Sequence, residues 1–198
     1  MVKFQSTKVI PIMLALIIAL LVTACSPQTP PPTSPPAPTP PGEDTVPHLD
    51  DLVLAMTSGA TEDLLGLVYL SSLPCTKGEG LGGPPKCIAD ETEGTLVDVL
   101  PILGSEGHHI RHSDLSNWAG LGEAQLYAAF RTSESTYSDE FFPAGEFGVV
   151  FLLPDQTNGV IFQVTEDGIV RIDLHDLSSI EDILKKSEVV LGPIPLTE

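Results

Sequence analysis

An α+β fold is predicted, with N-terminal helices packed on a curved antiparallel sheet that ends in a β-meander. Three observations lead there. Apolar residues recur at helical spacing from Pro47 to Val68, and the period falls to two between Gln125 and Leu174. The turn-forming dipeptides Asn158-Gly159 and Asp167-Gly168 separate the last three strand-like runs.

The elements before the fold concern address. Lys3 and Lys8 give a basic start, and no acidic residue precedes Glu43. Val9 to Leu21 is apolar apart from Pro11, and Val22-Thr23-Ala24-Cys25 follows. Such an order describes an export signal. The apolar run is shorter than the roughly 18–20 residues of a spanning helix. Val22-Thr23-Ala24-Cys25 resembles the lipobox of bacterial lipoproteins. That resemblance implies diacylglyceryl transfer to the Cys25 thiol, cleavage after Ala24 and a second acyl chain on the new terminus. Two chains anchor stably, whereas one binds marginally. A secreted protein without lipid, cut near Ala24, is the competing reading. Ser26, rather than Asp, does not resemble an inner-membrane retention signal. The expected place is therefore the cell membrane or outer membrane, with residues 1–24 as signal and the domain extracytoplasmic.

Removing the signal leaves about 174 residues and takes the formal charge from −18 to −20, through loss of Lys3 and Lys8. An acidic surface disfavours nucleic acid and anionic headgroups. The implied partners are a membrane, through the lipid, and a protein or small molecule that the sequence does not specify. No cofactor is expected. Residues 25–44 are the lipidated cysteine and a tether: Ser26 to Asp44 holds nine of the nineteen prolines and no aromatic or branched aliphatic residue. It buries no apolar surface and tends to polyproline II, reaching up to about 60 Å at about 3.1 Å per residue.

The globular region is expected over 45–177, with a tail over 178–198. Pro47 to Thr57 places Leu49, Leu52, Val53 and Met56 on one stripe, with Gly59 as the stop. Thr61 is the expected N-cap of a second helix, with Glu62 and Asp63 in its first turn and Leu64 to Tyr69 within it. Pro74 ends it. With Cys25 lipidated, Cys75 and Cys87 form an even pair in an oxidising compartment, and a disulfide is expected. A metal or redox pair lacks a C-x-x-C and any histidine between the two. Thr95 to Leu100 reads as extended, and Ser113 to Ala119, with Trp118, as a short helix. The strong strands are 125–132, 146–153, 159–165 and 168–174. Residues 147–153 are apolar on both faces. Val170, Ile172 and Leu174 alternate with Arg171 and Asp173. In the tail, Ser178-x-x-Glu181 has capping-box form and opens a short helix over 178–186.

The stretch Ala55–Val68 (AMTSGATEDLLGLV) resembles the turn between the first two helices in small members of the nuclear transport factor 2-like (cystatin-like) superfamily. Here Ala60-Thr61 stands in place of the usual acidic turn residue. The resemblance spans about residues 47–174 and brings no catalytic motif. Small bacterial lipoproteins with a Pro-rich tether and a globular head are similar in layout. The superfamily's enzymes use a pocket between helices and sheet. Tyr127, Arg131, Gln163, Arg171 and Asp173 are the polar residues that alternate within the strands. They line such a pocket for a small ligand if their face is the concave one, and otherwise form the wet face of a one-sided sheet.

Other chemistry is thin. His108-His109-x-x-His112 with Asp114 is the densest set of metal-ligand types. Gly104 and Gly107 favour strand or loop there, which sets His108 and His112 some 13 Å apart at about 3.3 Å per residue. Gly78 to Gly83 matches G-x-G-x-x-G but follows no strand and opens no helix. No G-x-S-x-G, P-loop or complete calcium loop occurs. The residues point to a non-catalytic binding or accessory domain. A ligand carrier or isomerase-like enzyme is the alternative, and metal capture a third.

Overall fold

The computed structural model describes residues 45–80, 82–117 and 124–195. The signal sequence, Cys25, the tether, Trp118 and Ala119 lie outside the described residues.

The fold is mixed α/β, built on a large open sheet of eight strands with few helices. Helix α1 spans Leu49–Ser58 and α2 Thr61–Gly66. Strands β1 (Ser71–Pro74), β2 (Leu96–Leu103) and β3 (Gly107–Arg111) follow, then a 3₁₀ turn over His112–Asn117. The meander is β4 (Gln125–Arg131), β5 (Phe147–Leu152), β6 (Asn158–Thr165) and β7 (Gly168–Asp176). Helix α3 (Leu177–Leu184) and strand β8 (Glu188–Leu191) complete it. The strand order is β1-β2-β7-β6-β5-β4-β8, with β3 also on β2.

The sheet departs from the expected all-antiparallel pattern. Ile102 and Leu103 of β2 pair in parallel with Ile172 and Asp173 of β7. Val99 pairs with both Ser71 and Arg111, and Ile102 with both His108 and Ile172. A residue has only two edges, so β1 and β7 occupy one edge of β2 in succession and β3 the other.

Local chemistry explains the other differences. Gly59 closes α1 at φ 65°, a left-handed cap that a glycine adopts without strain. Thr61 is the first residue of α2 rather than its cap; Ala60 holds the cap position and no side chain bonds there. The helix is also shorter than expected. Ile169 N–H donates to Leu67 O and Tyr69 N–H to Ile169 O, so β7 draws residues 67–69 out of the helix. The Asn158-Gly159 pair belongs to β6, and the turn before it falls on Pro154–Thr157 instead. Asp155 explains this: its carboxylate accepts the backbone N–H of Thr157 and Asn158 and the Asn158 side chain. The next turn is Glu166-Asp167, with Gly168 already in strand.

Alternation puts two apolar sets on opposite faces. Val160, Phe162 and Val164 of β6 share a cluster with Val149 and Phe151 of β5, Ile172, and the helix residues Leu52, Met56 and Leu64. Ile161 faces the other way, in a cluster with Phe130, Val150, Ile180 and Leu184. All six residues of β5 are buried, as a strand covered on both sides requires. In β7, Ile169 opposes Val164 and Arg171 opposes Gln163, leaving Val170 as the extra residue of a bulge. The bulge lets Ile169 and Ile172 both join the first cluster.

The region expected as a tail is part of the sheet. Asp176 caps α3, its carboxylate accepting Ser179 N–H at 2.8 Å, where Ser178 was expected to open the helix. Ile180 lies over Gly159, where an added Cβ would come within 2.7 Å of its Cδ1. Strand β8 pairs with β4, and Ile194 N–H donates to Tyr127 O.

Cys75 and Cys87 form the expected disulfide, with Cα atoms 4.9 Å apart, and close a loop of twelve residues' separation. Arg111 fixes that loop to β3. It grips Glu91 with two bonds of 2.7 and 2.6 Å and donates to Lys86 O. Replacing both bridge cysteines with serine is expected to lower stability by about 3 kcal/mol, chiefly by freeing the unfolded chain. Urea denaturation of oxidised and variant protein checks this, and an unchanged midpoint would show the bridge to be energetically idle.

Candidate functional site

The central feature is a buried polar network on the α3 face of the sheet. Arg171 and Asp173 project from one side of β7, and Gln163 lies opposite Arg171 on β6. They are 1 %, 4 % and 2 % exposed. Arg171 Nε donates to Asp173 Oδ1 at 2.6 Å and Nη2 to Oδ2 at 3.0 Å. Gln163 Nε2 donates to the same Oδ2 at 2.8 Å. Arg171 Nη1 then donates to the carbonyls of Tyr137 and Phe142, both at 2.8 Å. Gln163 Oε1 accepts Gly145 N–H at 3.2 Å. Arginine suits this place because its planar fork donates in several fixed directions at once. The network therefore ties the long β4–β5 loop down at three points.

That loop has its own internal knot. Asp139 accepts the Tyr137 hydroxyl at 2.5 Å and the backbone N–H groups of Phe141 and Phe142. These bonds hold its carboxyl below the ordinary range, the Tyr137 hydroxyl being the largest cause, and the same bond raises the Tyr137 phenol.

Between the loop and α3 lies a cleft of about 540 Å³. Its floor includes Phe130, Ile161 and the Arg171–Asp173 pair; Ser133, Ser135, Thr136 and Tyr137 form one wall, and Ser179, Asp182, Ile183 and Ser187 the other. Asp176 sets the second wall by capping α3. The Ser178 and Ser179 hydroxyls and the Ser179 N–H bring its carboxyl down to about 2.

Of the five residues expected to line a ligand site, the structure brings three together. Tyr127 is the extra residue of a bulge in β4, since Leu126 opposes Phe151 and Ala128 opposes Val150. It does not line the cleft. Arg131 sits over the Phe147 ring at 4.7 Å and 4.0 Å from Glu188, on the opposite face. The expectation of an open wet face is also corrected: α3 and the loop cover Gln163, Arg171 and Asp173.

Among the described residues, His108, His112 and Asp114 form no group of three ligand atoms within 4.8 Å of one another. His108 is exposed on β3, and His112 and Asp114 are exposed in the 3₁₀ turn. His109 Nε2 lies 3.1 Å from Phe141 O and its ring packs on Phe142, burial pushing its pKa down. Among the described residues, the one group of three metal-ligand types within reach of each other is Cys75, Cys87 and Glu91. Both of its sulfurs are bonded to each other. A smaller cavity of about 280 Å³ brings together His108 and Asp114, two of the three expected ligands, with His109, Lys86 and Arg111; Lys86 donates to Gly78 O and Arg111 is held by Glu91. Gly82, in the glycine run, donates its N–H to Gly107 O, which makes the run a loop support.

The hydroxyl-bearing walls were missed by sequence reasoning. The signal available was the density of Ser and Thr over 132–136 and the Asp176-Leu177-Ser178-Ser179 cap. Searches of protein-family models, curated proteins and solved structures find no match to this chain. The fold and cleft thus define no more than a mixed α/β domain with a hydroxyl-walled groove.

Two outcomes are expected. Asp173→Asn leaves Arg171 buried without its counter-charge and should cost about 3–5 kcal/mol in urea denaturation. Arg171→Met with Asp173→Leu should recover most of that loss, yet amides over 137–145 should exchange faster because their anchor is gone. A loop as protected as in the parent would refute the tethering role. As to pH, the Asp176 carboxyl titrates near 3.8 when unfolded and near 2 when folded, so its contribution is full above about 4 and fades as pH falls toward 2. Asp176→Asn should therefore show its largest deficit in melting temperature at pH 5, shrinking by pH 2.

Proposed function

We propose that the chain is a lipid-anchored protein of the bacterial cell envelope, whose folded part is a non-catalytic binding domain on a Pro-rich stalk. The address rests on the lipobox-like Val22-Thr23-Ala24-Cys25 and on Ser26 to Asp44. The observation that carries the non-catalytic reading is the saturation of the cleft's buried polar groups. Both Asp173 oxygens, both Gln163 termini and the Arg171 fork are engaged by the protein itself. An acid–base catalyst keeps a titratable group within reach of substrate; the buried carboxylate here is locked to a guanidinium, while His175, Asp182 and Lys186 also line the cleft. The 540 Å³ cleft favours a second reading, a carrier of a small ligand, since pockets of roughly 300–1,000 Å³ suit such molecules.

Burial of Leu52, Met56 and Leu64 together with Phe162 and Val164 supports a helical layer on one face of the sheet. That is the arrangement implied by the resemblance to the nuclear transport factor 2-like superfamily.

Expression of the full sequence in a bacterial host tests the address. Membrane-extracted protein should begin at Cys25 and carry the mass of a diacylglyceryl group and a fatty acyl chain, and Cys25→Ser should be lost from the membrane fraction. An unmodified thiol at Cys25, or parent protein in the cytosol, would overturn the proposal.

A further inference from the structure

We infer that the cleft between the β4–β5 loop and α3 binds a neutral saccharide, an inference that rests on the binding-domain reading above. Its walls carry six hydroxyls, from Ser133, Ser135, Thr136 and Tyr137 on the loop and Ser179 and Ser187 on the helical side. Most of their protons are already committed. Ser133 and Ser135 bond each other at 2.7 Å, Tyr137 donates to Asp139, Ser179 to Asp176 and Ser187 to Ile183 O. Thr136 Oγ1 accepts the Ser133 N–H, so its own proton and one of the Ser133–Ser135 pair stay free, while each of the six oxygens keeps acceptor capacity. Six acceptors against two free hydroxyl protons favour a ligand rich in O–H or N–H donors over a carboxylate, which only accepts.

Charge narrows the class further. The cleft's ionised side chains are two of each sign, Arg171 and Lys186 against Asp173 and Asp182. Asp173 is engaged by Arg171 and Gln163, and Asp182 by Lys185 at 3.0 Å. Asp182 is thus shared with a neighbouring cation through one oxygen, and Lys186, on the same wall, opposes an ammonium group. A molecule of charge −18 repels anions as well. What remains is an uncharged donor-rich ligand. Leu103 and Ile183, both partly exposed, and the Tyr137 ring, 54 % exposed, supply apolar surface for the C–H faces that sugar rings present. Lys186 and the His175 ring add donors for ring and glycosidic oxygens.

The experiment uses the full chain, isotopically labelled, in a zwitterionic detergent free of sugar headgroups. Cellotriose, N,N′,N″-triacetylchitotriose and maltotriose are titrated to about 10 mM, above the ~1 mM dissociation constants of weak complexes. Inorganic phosphate and trialanine serve as anionic and peptide probes. At least one trisaccharide should saturate, with amide shifts confined to residues 133–137 and 175–187. The double variant Ser135→Ala, Thr136→Val should weaken it about tenfold, the loss expected for two hydrogen bonds. No saturation by any of the three, saturation of these amides by phosphate or trialanine instead, or undiminished binding by the double variant would overturn the inference. Because the membrane assay reads Cys25 and this titration reads the cleft, a chain that is lipidated but binds no sugar loses only the ligand class. A chain that binds sugar but remains cytosolic loses only the address.

Discussion

The ion pair between Arg171 and Asp173 is the constraint on which the α3 face of the molecule depends. Two opposite charges lie next to each other in the middle of a sheet, 1 % and 4 % exposed. Withdrawing them from water is costly, and the cost is met only when geometry is good and every remaining polar atom is satisfied. Here the guanidinium's other donors reach Tyr137 O and Phe142 O, and Gln163 adds a third bond to the carboxylate. Among the described residues, no buried side-chain nitrogen or oxygen lacks a partner. The network therefore converts a long connection, which by length alone would be loose, into a fixed wall.

Each face of the sheet is closed by a different device. Phe162 and Val164 join an apolar cluster with helix residues, whereas the other face mixes the apolar contacts of Ile180 and Leu184 with the polar network. Helix α3 comes close because Gly159 leaves room beneath Ile180, and it starts where it does because Asp176 satisfies its first turn. A groove between a pinned loop and a capped helix follows from those two fixings. Neither side of it depends on a ligand for its shape.

Much of this organisation was legible in the residues. The meander strands fall within a residue or two of the expected positions, because alternation and doubly apolar runs report burial directly. The disulfide followed from parity, once Cys25 is set aside for the expected lipid. Short-range reading failed where a distant partner decided the outcome. Residues 67–69 have helical composition, but hydrogen bonds to Ile169 claim their backbone. Likewise Arg171 and Asp173 carry the alternation of a wet sheet face, and nothing local states that a loop thirty residues upstream will cover them. Arg131 shows the same alternation and is placed on the opposite face, because bulges in β4 and β7 shift the phase of each strand independently.

The outermost strands carry a last consequence. At the borders of the sheet, β3 is five residues long and β1 and β8 four each, and prolines stand at Pro74, the end of β1, and at Pro193 and Pro195, beyond β8. A chain held on a bilayer by the proposed anchor would meet its own copies in two dimensions, at an effective concentration far above that of a freely diffusing protein. Long bare edges in such crowding would invite strand-to-strand polymerisation. Abbreviated borders, with a residue lacking an N–H at the end of β1 and another two places past β8, let a β-rich head be displayed at high density while its neighbours stay separate.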